Sequence, residues 1–191
     1  MDMSRTGQTI AVPQDRTYEW ARQAAIVVIA SVFVALCAQV TVPLPFTPVP
    51  LTLQNFGVLV VGLTLGARRG FAALLLYLAE GAMGMPVFNP TGPGGVLQLF
   101  GPTGGFLMAY PLVAAIAGWV MERGNKTFKR ALSAGFLGEI ALFVGGLGWL
   151  TILTGSPAQA VRMGLYWFVF AEVIKIFLAA AVSLRAKQWM R

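Results

Sequence analysis

The chain has 191 residues, 57% of them hydrophobic and only 11% charged, and its 14 basic against 7 acidic side chains give a formal charge of +7. A soluble domain of this size cannot bury so much apolar surface, so the composition indicates one domain with lipid as its solvent. The basic residues sit at the ends of apolar runs rather than on one helix face, which argues against nucleic acid as a partner. Histidine is absent and Cys37 is alone inside an apolar run, which removes the commonest metal ligand, the commonest general base and any intramolecular disulfide.

The polar first 18 residues contain no apolar stretch of the kind a secretory signal requires. Residues 1–19 are therefore expected to form a cytoplasmic tail, residues 20–185 a six-helix transmembrane domain, and residues 186–191 a second cytoplasmic tail. The first apolar segment, Trp20–Val42, carries small residues at helical spacing: Ala21 with Ala25, and Ser31 with Ala35. Such pairs let helices approach closely, either within the chain or against a separate membrane subunit.

The connection that follows, from Val42 to Gln54, holds four prolines in the eight residues from Pro43 to Pro50. They fix φ and exclude regular helix, giving a stiff apolar strap. It reads either as a rigid interfacial linker or as a lid over a ligand. The second and third apolar segments, Leu51–Gly66 and Gly70–Met85, are short for a hydrocarbon core of about 30 Å. A hairpin at Gly66–Gly70 separates them, although one long kinked or re-entrant unit is the alternative. Between Gly84 and Pro102 lies a long Gly- and Pro-rich connection too apolar to be disordered. It is expected to be a functional loop. Thr103 reads as an N-cap for the fourth segment, Thr103–Met121, leaving backbone N–H groups free to receive a carboxylate.

The fifth and sixth segments are Ala131–Thr154 and Val161–Leu184. Twelve of the fourteen basic residues fall on alternate connections, among them Arg68, Arg69, Arg123, Lys126 and Arg185. The positive-inside rule then places both termini in the cytoplasm with an even number of spans. Four charged residues lie within spans: Glu80, Glu139, Glu172 and Lys175. Each is costly at depth unless it faces the bundle interior or a cavity. Glu172 and Lys175 share one face of the sixth segment with Phe168, and read either as a self-neutralising pair or as an acceptor and a cation offered to a ligand. Glu139, among glycines, is expected to hydrogen-bond across a close helix contact, and Glu80 is undecided. No nucleotide-binding P-loop and no catalytic nucleophile arrangement is present, so the chain is expected to be neither an ATPase nor another enzyme, with no catalytic residues and no metal.

Taken together, these residues resemble the BioY family, the biotin-binding S components of energy-coupling-factor transporters. The resemblance rests on Ala38-Gln39-Val40, the strap from Pro43 to Gln54, Leu65–Gly70, Gly84–Phe88, Gly101–Gly105 and the acid-x-x-Lys pair at 172 and 175, where the family more often has Asp. It implies an all-α integral membrane fold, a six-helix S-component-like bundle, in the bacterial cytoplasmic membrane. It implies biotin as the transported ligand, no cofactor bound by this chain, and ATP used only through partners: a transmembrane coupling subunit and two ATPase subunits. The substrate-binding set is expected to be Glu172, Lys175, Asn89, Gln54, Phe88, Gly104 and Phe168. Glu172 would accept from ureido N–H groups and Lys175 would meet a ligand oxygen, that of the carboxylate. Ala21, Ala25, Ser31 and Ala35 would dock the coupling subunit. The rival from another class is a stand-alone proton-coupled transporter or channel, with Glu80, Glu139 and Glu172 as its proton path.

Overall fold

The computed structural model describes the backbone of residues 16–189 and side chains through Ala186. The helices are α1 (Arg16–Gln39), α2 (Gln54–Leu65), α3 (Ala67–Ala82), α4 (Gly95–Phe100), α5 (Gly104–Glu122), α6 (Phe128–Thr154), α7 (Pro157–Gly164) and α8 (Val169–Trp189). The only strands among the described residues are β1 (Thr41–Val42) and β2 (Leu51–Thr52), an antiparallel pair that closes the proline strap into a hairpin. Helix α1 begins at Arg16, inside the segment read as the first tail, while residues 1–15 lie outside the described residues.

Apolar side chains cover the outside of the bundle. Ile29, Val144, Ile152 and Phe170 are each at least two-thirds exposed, at 68, 70, 74 and 79%. Three described helices, α1, α5 and α6, are individually long and apolar enough to cross a membrane, and α7 with α8 makes a fourth if that bent pair is one span. The chain is a multi-pass membrane protein. Helix α2 is different: its 12 residues span only about 18 Å, yet Gln54, Asn55 and every residue from Gly57 to Leu63 are buried. A helix that is apolar all round suits such a position. It packs on α1, α3, α5 and α8, which screen it from lipid.

Gly66 alone makes the turn between α2 and α3, with φ +87°, a conformation that costs other residues a Cβ clash. The turn therefore occupies one residue rather than five, and Arg68 and Arg69 sit in the first turn of α3. Glu122 at the end of α5 accepts a hydrogen bond from Ala67 N (2.9 Å), capping α3 and bringing the basic turn beside the basic end of α5. At the other end of the bundle α5 and α6 cross closely: a Cβ on Gly105 would meet Gly145 O at 2.5 Å.

Three expectations from sequence need correction. The connection between Gly84 and Pro102 contains helix α4 instead of being structureless. Thr103 does not cap α5, because it adopts helical φ and ψ (−87°, −8°) and its side chain makes no capping bond; Gly104 N bonds to Gly101 O instead. The sixth apolar segment is not one helix. It breaks at residues 165–168, where Tyr166 N reaches back to Val161 O across five residues, and the two parts meet at 53°. Ser156 caps α7 by accepting from Gln159 N, with Pro157 at the first helical position.

A candidate ligand site on a buried polar cluster

The break moves Glu172 from mid-span into the first turn of α8, with Lys175 one turn further on. Glu172 Oε1 accepts from Lys175 Nζ at 2.6 Å, and both residues are under a tenth exposed. Asn55, in the first turn of α2, donates from Nδ2 to Glu172 Oε2 (2.7 Å) and to Glu139 Oε2 and Oε1 (2.9 and 3.2 Å). One amide thus joins two carboxylates from α6 and α8, and one ammonium faces them. Glu139 does bond across a helix contact, as expected, but the contact belongs to this cluster. Glu80 stands apart, accepting a hydrogen bond from Ser31 across the α1–α3 interface.

Beside the cluster lies a cavity of about 50 Å³ that opens in part to the outside. Phe106, Tyr110, Leu142, Phe143 and Phe168 supply apolar walls, while Gln54, Asn55, Asn89 and Glu172 supply polar groups. A largely apolar pocket with a few placed polar groups is the ordinary form of a small-molecule site. The strap roofs it through Val49 and Pro50. Two contacts pin the strap to the α7–α8 region: Thr47 Oγ1 donates to Met163 O (2.7 Å), and the Phe46 and Trp167 rings lie 4.2 Å apart.

Of the residues expected to bind substrate, Glu172, Asn89, Gln54 and Phe168 line this cavity. Gln54 also donates to Tyr77 Oη (2.7 Å), which donates in turn to Val87 O (2.9 Å), tying the cavity wall to the second outer connection. Lys175 lies behind Glu172 and off the cavity wall. Two residues are elsewhere. Phe88 is core, packed edge-on against Tyr77 and over Gly81. Gly104 serves close packing, since a Cβ there would strike the Leu99 carbonyl. Ser31 also needs correction as a docking residue: it is fully buried, its hydroxyl turned inward to Glu80, whereas Ala21 and Ala25 are exposed and Ala35 is half-buried. The sequence reading missed Asn55, although an amide in so apolar a helix is the same kind of signal as a buried carboxylate.

The BioY family model matches residues 6–191. A probable biotin transporter BioY of Pyrococcus horikoshii is 35% identical over 160 residues, covering 82% of this chain and 93% of the relative. The biotin transporter BioY of Thermotoga maritima is 34% identical, covering 83% and 94%. A crystal structure of the S-component for biotin from an ECF-type ABC transporter superposes with a TM-score of 0.79 at 22% identity, over 90% of this chain and 93% of that one, so the fold is the same. With a family match spanning nearly its whole length, the chain belongs to the BioY family.

Proposed function

We propose that this chain binds biotin and brings it across the cytoplasmic membrane as the substrate-specific subunit of an energy-coupling-factor transporter. Relatives over a third identical across most of the chain bear the name biotin transporter. The single observation that carries the reading is the cavity floored by Glu172 and Asn55. Biotin offers an apolar bicycle, a ureido group with two N–H donors and one acceptor, and a carboxylate. Two carboxylates against one ammonium make the floor better suited to the neutral ureido end than to the carboxylate. Glu172 accepts a ureido N–H, and Asn89 and Gln54 contribute further polar contacts. Lys175 pairs with Glu172 from behind and holds it in place, in contrast to the direct role in meeting the ligand carboxylate expected from sequence.

In this reading the bundle has six spans, with α2 and α3 as the short second and third and α7–α8 as a broken sixth. Both termini are cytoplasmic. The Arg68–Arg69 turn, the end of α5 and Arg185 share the inner side; the strap and cavity face outward. Ala21 and Ala25, exposed on α1, with Ala35 above them, meet a coupling subunit that carries two ATPase subunits. The test is equilibrium binding of labelled biotin to the purified chain in detergent, with Glu172→Gln alongside. One-to-one binding by the wild type that is weakened in the variant supports the ligand and the site together. A well-folded wild type that does not bind overturns the reading. Uptake that collapses with the proton gradient, and needs no partner, would favour the stand-alone transporter instead.

A further inference from the structure

The cluster contains one polar atom that nothing among the described residues satisfies. Asn55 is 3% exposed, and its carbonyl Oδ1 is buried with no hydrogen-bond partner. A buried acceptor left unmade costs about 1–3 kcal/mol, so such an atom calls for an explanation. The orientation of the amide is not free. Asn55 Nδ2 donates to a carboxyl group on each side, Glu139 on α6 and Glu172 on α8, and Glu172 also accepts from Lys175. Both draw the NH₂ group toward themselves. The carbonyl edge is forced the other way, in a residue that also lines the ligand cavity.

We propose that Asn55 is a ligand-reading residue whose Oδ1 accepts an N–H from the bound molecule, and that Glu139 is the positioning residue that turns the amide to present that oxygen. The inference rests on the biotin reading and adds to it. Glu172 and Asn55 then offer two acceptors to the cavity, held together by the 2.7 Å hydrogen bond from Asn55 Nδ2 to Glu172 Oε2. A cyclic urea carries one N–H on either side of its carbonyl, one donor for each of the two acceptors. A ring with one N–H in place of two fills one acceptor and strands the other, which is how a polar site rejects a near-isostere. Glu139, which lies off the cavity wall, thereby acquires a function that its depth alone does not explain.

The test compares biotin with the two analogues in which one or the other ureido N–H is replaced by oxygen, giving a cyclic carbamate. Wild type, Asn55→Leu and Asn55→Ser are used, each checked for a monodisperse elution profile. The serine can still donate to one carboxylate but is too short to place an acceptor at the Oδ1 position. For wild type, each analogue is expected to bind roughly ten-fold or more weakly than biotin, one for each acceptor. In Asn55→Leu and Asn55→Ser one of those two penalties disappears and the other remains. Glu139→Leu shrinks the same penalty, and Glu139→Gln, whose carbonyl still accepts from Asn55 Nδ2, restores it. Both penalties persisting in either folded Asn55 variant would overturn the proposal, as would a wild type indifferent to both replacements. Failure of wild type to bind biotin at all would instead remove the reading on which the proposal stands.

Discussion

Two interfaces in this bundle hold carboxylates between apolar helices, and they solve the same problem differently. Between α1 and α3, Glu80 meets a single donor, the Ser31 hydroxyl, far along the chain but alone. Between α2, α6 and α8, two carboxylates share one amide, one ammonium balances them in part, and an acceptor is left over beside a cavity. A structural contact ends when its groups are satisfied. A binding site keeps some of its capacity for something else, and the leftover capacity is what tells the two apart.

The sharpest way to break that comparison is to replace the ion pair with apolar groups. Glu172→Leu with Lys175→Met, made in a Glu139→Gln background so that no carboxylate is left without a cation, is expected to unfold at the wild-type temperature or above it, because an apolar replacement removes the desolvation costs of the pair. Biotin affinity should nevertheless fall by roughly 10²–10⁴-fold, about the worth of one or two hydrogen bonds to charged groups with their stranded partners. Affinity within a few-fold of wild type would make the cluster as structural as the Glu80 contact. Next in size, Lys175→Met alone leaves two buried carboxylates with no cation and should cost about 3–5 kcal/mol of stability, read as a drop in unfolding temperature in detergent. A variant as stable as wild type would mean that the pair is not buried in the way described.

On the α1 side the expected effects move from binding to assembly. Ala21→Trp and Ala25→Trp should leave biotin affinity unchanged while cutting uptake in cells by roughly ten-fold, the worth of about 1–2 kcal/mol at a helix contact. Equal loss of binding and uptake would point to folding. The smallest effect is reserved for Glu80→Gln. Its amide oxygen can still accept from Ser31, so stability should change by about 1 kcal/mol and biotin affinity by less than about three-fold. A large loss of affinity there would extend the site across the bundle.

Much of this was legible in the chain. Charges buried in apolar runs announced Glu139, Glu172 and Lys175, because burial of a charge needs a reason wherever it occurs. Prolines announced the strap, since fixed φ does not depend on tertiary context. Gly66 was visible as a turn, but the number of residues it needed was not. The break at residues 165–168 was hidden, for Leu165-Tyr166-Trp167-Phe168 contains neither proline nor glycine and reads as continuous helix. The local cause lies elsewhere: Thr47 and Phe46 of the strap hold Met163 and Trp167, contacts more than a hundred residues apart in sequence. The meeting of Asn55 with Glu139 and Glu172 was hidden for the same reason, since helix order does not reveal which faces oppose one another. Phe88 and Gly104 fall outside the cavity lining because nearness in sequence to a loop is not nearness to the cavity it borders.

The unequal helix lengths bear on the surrounding lipid. Helix α6, with 27 residues, is about 40 Å long, while α3, with 16 and with Phe71 and Leu75 exposed on its outer face, is about 24 Å. A bundle with so uneven a girth cannot match one bilayer thickness around its whole perimeter. Long α6 must tilt or gather thicker lipid, and the short α3 draws the two leaflets together on its side. The protein therefore carries a thickness gradient from one flank to the other. Acyl-chain length becomes a variable that selects its orientation and its neighbours in the membrane without touching the cavity.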